Sequence, residues 1–126
     1  MAKLYIVPTP IGNLDDITLR AVDVLREVDF ILAEDTRTTS FLLRHLGIEK
    51  KLHSHHKFNE HGTTASVVER LKAGETIALI SDAGTPAVSD PGYGVVAAAV
   101  EAGVTVTAIP GPSAVLMALA ISGLPT

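Results

Sequence analysis

Residues 76–110 read TIALISDAGTPAVSDPGYGVVAAAVEAGVTVTAIP, and the fold follows from how that stretch divides. TIALIS is a short apolar run with the makings of a buried strand, and VTVTAIP at the far end is a second. Between them SDPGYGVVAAAVEAG reads as a helix. Asp90 stands at its cap, Pro91 at the first helical position where a missing N–H costs nothing, and Gly103 at its close. Strand, helix, strand is a βαβ unit, whose two strands lie parallel and are joined by a right-handed crossover.

The same alternation extends in both directions. KLYIVP (residues 3–8) is a strand that stops at Pro8; a helix capped by Asp15 or Asp16 follows, with Ile17, Ala21, Val24, Leu25 and Val28 on one face. DFILAE (29–34) is a short strand, and TRTTSFLLRHLG a second helix closed by Gly47. KKLHSHH carries a weaker strand pattern. TTASVVERLKAG (63–74) is a third helix with Val67, Val68 and Leu71 inward and Gly74 as its stop. Downstream, GPSAVLMALAISG starts a fifth helix with Pro112 placed like Pro91 and Gly123 after its last turn. The pattern predicts one α/β domain over residues 1–126, a three-layer α/β/α arrangement with a mainly parallel five-stranded sheet covered on both faces.

Composition narrows the function. The chain has 126 residues, 47% hydrophobic and 19% charged, which suits a single core. It has no cysteine, which excludes disulfides, thiolate metal sites and a cysteine nucleophile and fits a reducing cytoplasm. The apolar start before Pro8 is too short for a signal peptide, and YGVVAAAV and AVLMALAI are too short to span a bilayer. A formal charge of −4 argues against autonomous binding of nucleic acid. Residues 44–61, RHLGIEKKLHSHHKFNEH, are locally basic and hold all five histidines; their plain reading is a solvated connection. A metal at His53, His55, His56 and His61 would need a further ligand and a fixed surrounding shell, so no metal is expected.

In a parallel sheet the loops after the strands converge on one edge. Three of them, TPIGN, SDAGTPAVSD and PGPS, are rich in Gly and Pro, which lets backbone approach a ligand closely while the loop stays rigid. The connection over residues 81–92 takes twelve residues where two to six are usual, and loops of that length are more often functional. Neither a P-loop nor a G-x-G-x-x-G after the first strand is present.

VPTPIGNLDDITLRA, AEDTRTT, LISDAGTPAVSDPG and IPGPSA, in that order, resemble the amino-terminal domain of the tetrapyrrole methylase-like superfamily. Within it they are similar to the branch that methylates the 2′-oxygen of a cytidine ribose in small-subunit (16S) ribosomal RNA. The resemblance implies S-adenosylmethionine as cofactor, held in a cleft between two domains, the second of which is absent from this chain. It also implies a homodimer and a cytoplasmic enzyme, and leads to the expectation that the chain alone binds the cofactor weakly and turns nothing over. By position it assigns Ile11, Asp82, Thr85, Ser113 and Ala114 to the cofactor. Pro10 and Ser81 depart from the wider superfamily pattern, and Phe58 stands where many members of the branch carry another histidine.

The loop chemistry agrees with a sulfonium ligand, since SDAGTPAVSDPG contains no basic residue to repel it. An alcohol acceptor needs help losing its proton, and Glu34, Asp35, His56 and Glu60 are the candidates, the last two in a stretch that resembles the branch's His-rich one ending in Asn-Glu. Arg37 either holds an acceptor phosphate or pairs with Glu34 or Asp35; the plainer alternative makes Asp35 a helix cap with a local ion pair. Two other functions share these residues: methylation of a tetrapyrrole carbon, and a non-catalytic module that binds a nucleotide-like ligand or dimerises.

Overall fold

The computed structural model describes residues 3–55, 60–81, 84–86 and 92–125. Five strands alternate with five helices: β1 (Lys3–Ile6), α1 (Leu19–Glu27), β2 (Phe30–Ala33), α2 (Thr36–Leu46), β3 (Leu52–Ser54), α3 (Glu60–Lys72), β4 (Thr76–Ile80), α4 (Gly92–Glu101), β5 (Thr105–Ala108) and α5 (Ala114–Ile121). The strands form one sheet in the order β3-β2-β4-β1-β5, and every pairing in it is parallel. The α/β/α architecture read from the alternation is the one observed.

Period-two burial builds the layers. Ile31, Ala33, Ala78 and Ile80 point to one face, where Ala21, Val24 and Leu25 of α1 and Leu43 of α2 cover them. Leu4, Phe30, Leu32, Ile77 and Leu79 point to the other, beneath Val67 and Leu71 of α3 and Val95 and Ala99 of α4. The VVAAAV segment of α4 thus packs on the sheet. The chain steps from β1 to β2 to β3 in one direction with its helices on the first face. It then returns through β4 to β5 with its helices on the second, as right-handed crossovers require when the direction reverses. Strands β1 and β4 are neighbours whose outgoing connections leave to opposite faces, and a ligand crevice opens at such a reversal.

Local chemistry moves several boundaries. Neither Asp15 nor Asp16 caps α1: their N–H groups turn back to Asn13, onto its Oδ1 and its carbonyl, both at 3.0 Å, and Thr18 is the cap, its Oγ1 accepting from Ala21 N–H at 3.0 Å. Pro112 does not occupy the first position of α5, because Ser113 is the cap with extended backbone. In α3, Val67 and Leu71 are buried and Val68 is half-buried. Gly47 ends α2 in the left-handed conformation, φ +69°, as expected. Asp90 and Pro91 lie outside the described residues. Among the described residues no helix is long and apolar enough to cross a membrane.

Candidate functional site

At the carboxyl edge of the sheet the loops after β1, β4 and β5 interlock. Thr9 N–H donates to the Gly84 carbonyl at 2.9 Å and Gly84 N–H returns to the Thr9 carbonyl at 3.0 Å, an isolated antiparallel pair between two loops that leave parallel strands. Thr85 Oγ1 donates to the Pro112 carbonyl at 3.0 Å, which ties the second loop to the third. The third closes back on the first: a Cβ built on Gly111 would lie 2.8 Å from Pro8 Cβ, so only glycine allows the approach. Gly84, at φ +81°, has room for its own backbone but would set a Cβ 3.3 Å from Ile11 Cγ2.

Of the residues expected at the cofactor, this rim brings Ile11, Thr85 and Ser113 onto loops that touch one another, with Ala114 opening α5 behind the third; Asp82 lies outside the described residues. Thr85 gives its proton to Pro112, so toward a ligand its hydroxyl can only accept. Ser113 Oγ accepts from Leu116 N–H at 3.4 Å as the cap of α5. Sequence reading picked out the three loops that carry Thr9, Gly84, Gly111 and Pro112 but not the contacts by which these four residues hold the rim together. The proline-flanked glycine in PGPS and the proline-flanked threonine in PTP were the available signals.

A cavity of about 110 Å³ opens beside the rim, lined by Thr9, Pro10 and Leu14, by Ile80 and Ser81 at the tip of β4, and by Thr38, Thr39, Phe41 and Leu42 of α2. Thr9 is 2% exposed, and its Oγ1 finds no hydrogen-bond partner among the described residues. A buried unpaired hydroxyl costs about 1–3 kcal/mol, which a bound polar group can recover. No lysine or arginine occurs at residues 9–14, 81–86 or 110–114, so a positively charged sulfonium would meet no like charge here. These residues fit a methylsulfonium donor.

The expected acceptor side starts where β2 ends. Asp35 caps α2: its Oδ1 accepts from Arg37 N–H at 2.9 Å and from Arg37 Nε at 3.3 Å, and its Oδ2 from Arg37 NH2 at 3.1 Å. Those bonds to the Arg37 side chain and backbone hold the Asp35 carboxyl below its ordinary range and keep it ionised and occupied. Arg37 is correspondingly held charged by Asp35. The capped ion pair foreseen as the plainer reading is therefore present, on a pair with little stabilising force because it faces water. Glu34 precedes it at the strand tip. His56 and the side chain of Glu60 lie outside the described residues.

Within the histidine-rich stretch, His53 packs on the opposite face. The His53 ring sits tilted against Phe30 with the centroids 4.6 Å apart, and Arg70 lies 3.8 Å above the same Phe30 ring while its NH2 donates to Glu75 Oε1 at 2.7 Å. Burial, then the Arg70 charge, pushes the His53 imidazole below its ordinary pKa. Among the described residues no group of three His, Asp or Glu could hold a metal ion.

The sequence and the fold match known proteins. Ribosomal RNA small subunit methyltransferase I of Vibrio cholerae serotype O1 is 55% identical over 123 residues, 98% of this chain and 43% of the relative. Its Escherichia coli O157:H7 counterpart is 52% identical over 124 residues, again 98% and 43%. Among solved structures, uroporphyrin-III-C-methyltransferase from Thermus thermophilus superposes with a TM-score of 0.72 at 25% identity, over 99% of this chain and 53% of its own. Diphthine synthase shares the fold at a TM-score of 0.76 and 20% identity, over 98% and 49%. The chain thus spans less than half the length of the curated relatives it matches. A family model for Tetrapyrrole (Corrin/Porphyrin) Methylases matches residues 3–126, nearly the whole sequence, and the chain belongs to that family.

Proposed function

We propose that this chain is the amino-terminal half of an S-adenosylmethionine-dependent methyltransferase that acts in the cytoplasm on a cytidine ribose 2′-oxygen of 16S ribosomal RNA within the small subunit. The observation that carries the reading is identity above half, along the whole chain, to relatives named for small-subunit ribosomal RNA methylation. Ile11, Asp82, Thr85, Ser113 and Ala114 hold the donor on the rim side. When bound, the donor would supply a methyl group on a positively charged sulfur, and its transfer to the ribose oxygen would release a neutral thioether.

The chain's own part is positioning and proton removal. A rim fixed by cross-loop hydrogen bonds keeps its geometry as reactants arrive, and positioning of that kind is worth up to about 7–11 kcal/mol of barrier. The ribose proton passes to a carboxylate or imidazole among Glu34, His56 and Glu60, while Asp35 orients Arg37 toward the acceptor's phosphate. A second domain closes the cleft and covers α5, whose residues are all exposed and apolar here, and two such polypeptides pair as a dimer.

The test incubates the full-length polypeptide with labelled donor and, in parallel reactions, with small ribosomal subunits that lack the modification or with a tetrapyrrole. Label on a cytidine 2′-oxygen supports the reading. Label transferred only to a tetrapyrrole carbon, or donor binding without transfer to any acceptor, refutes it in favour of the two alternatives.

A further inference from the structure

The outward face of α2 carries Arg37, Phe41 and Arg44 at helical spacing, with Thr38 and His45 beside them, and all five residues are exposed. Phe41 is 57% exposed although Thr39, Leu42 and Leu43 already supply the buried side of this helix. Phe41 stands at the mouth of the cavity on a stripe with two arginines, with more than half of its surface open to a partner. Charge selects the partner. The α2 segment TRTTSFLLRHL contains two arginines and no carboxylate, whereas α1 and α3 balance their charges, α4 carries only Glu101, α5 has none, and the chain as a whole is at −4. Asp35 pins Arg37 at the head of the stripe, and Arg44 makes no ion pair or side-chain hydrogen bond among the described residues. The stripe also continues into the candidate site, because Thr38 and Phe41 line the same cavity as Thr9, Pro10 and Ser81.

We infer that this face of α2 is the track for the single-stranded RNA next to the target nucleotide: a neighbouring base stacks on Phe41, and phosphates on either side of it meet Arg37 and Arg44. Aromatic stacking flanked by arginines is how unpaired RNA is held when bases are splayed out of a helix. A second copy of this chain or an apolar protein segment would use Phe41 but has no need of a helix cleared of carboxylates. The inference rests on the proposed RNA-methylating function and names the acceptor side of that site.

The test measures kinetics of the full-length enzyme on unmodified small subunits across a salt series, with donor affinity measured separately. Loss of one stacked base in Phe41→Ala is expected to raise the KM for subunits about tenfold, well beyond any change in the KM for the donor whose cavity Phe41 borders, while Phe41→Trp keeps the wild-type subunit value. Arg44→Gln should reduce the slope of log kcat/KM against log salt by about 0.7, one phosphate contact to a single strand. Unchanged subunit KM and salt slope in both variants, with the wild type active, overturn the track and leave the methyltransferase reading standing. A Phe41→Ala effect confined to donor KM or to oligomeric state also overturns it. A wild type that transfers no methyl to RNA defeats the underlying function instead.

Discussion

Gly111 and Gly84 show how single positions hold the rim. At Gly111 a methyl group would sit 2.8 Å from Pro8 Cβ, against a ring that cannot swing aside, so the third loop must lift away from the first. Gly111→Ala is expected to destabilise by about 1–3 kcal/mol in urea unfolding and to weaken donor binding with it. Gly94→Ala provides the opposite case, since among the described residues nothing lies within 4 Å of its Cβ in the first turn of α4, and there the exchange should stabilise by up to about 1 kcal/mol. A Gly111→Ala protein as stable as wild type, with unchanged donor affinity, would contradict the interlock. The glycine itself was legible in PGPS; its partner was not, because Pro8 meets it only after the whole sheet has assembled. Thr9 was hidden for the same reason, since its burial is tertiary.

Elements were legible where their chemistry is local and periodic. The stripe Ala21, Val24, Leu25 marked α1, and Gly47 marked the end of α2. The start of α1 was misread because two aspartates look like caps, yet Asn13 already engages their N–H groups in a turn and leaves the cap to Thr18. Thr18→Ala should therefore cost about 1 kcal/mol in thermal or urea unfolding, whereas Asp15→Ala and Asp16→Ala should each stay within about 0.5 kcal/mol. A larger loss at Asp16 than at Thr18 would reverse the assignment. Helix α5 was recognisable as a helix but not as a facing one: AVLMALAI is apolar at every position, so its sequence names no buried side, and none of its residues is buried here. Under the proposed function that surface belongs against the second half of the polypeptide.

At the scale of the molecule, alternation of strand and helix implied a parallel sheet, but the order β3-β2-β4-β1-β5 depends on pairings between distant segments that no local pattern encodes. That order decides the site. It sets β1 beside β4 with their connections leaving to opposite faces, and the three Gly- and Pro-rich loops meet over the junction, bonded through Thr9, Gly84, Thr85 and Pro112. Glu34 and Asp35 follow β2 at the same edge, and in the helix that Asp35 caps, Thr38 and Thr39 share a cavity with Thr9 and Ser81. The loops were legible from composition; their mutual contacts were not. The central claim is that this interlocked rim holds the methyl donor. A crystal structure of the full-length polypeptide with S-adenosylhomocysteine, the demethylated donor, tests it most directly: the ligand is predicted against residues 9–14, 81–86 and 110–114, and a ligand bound away from all three loops would contradict the account.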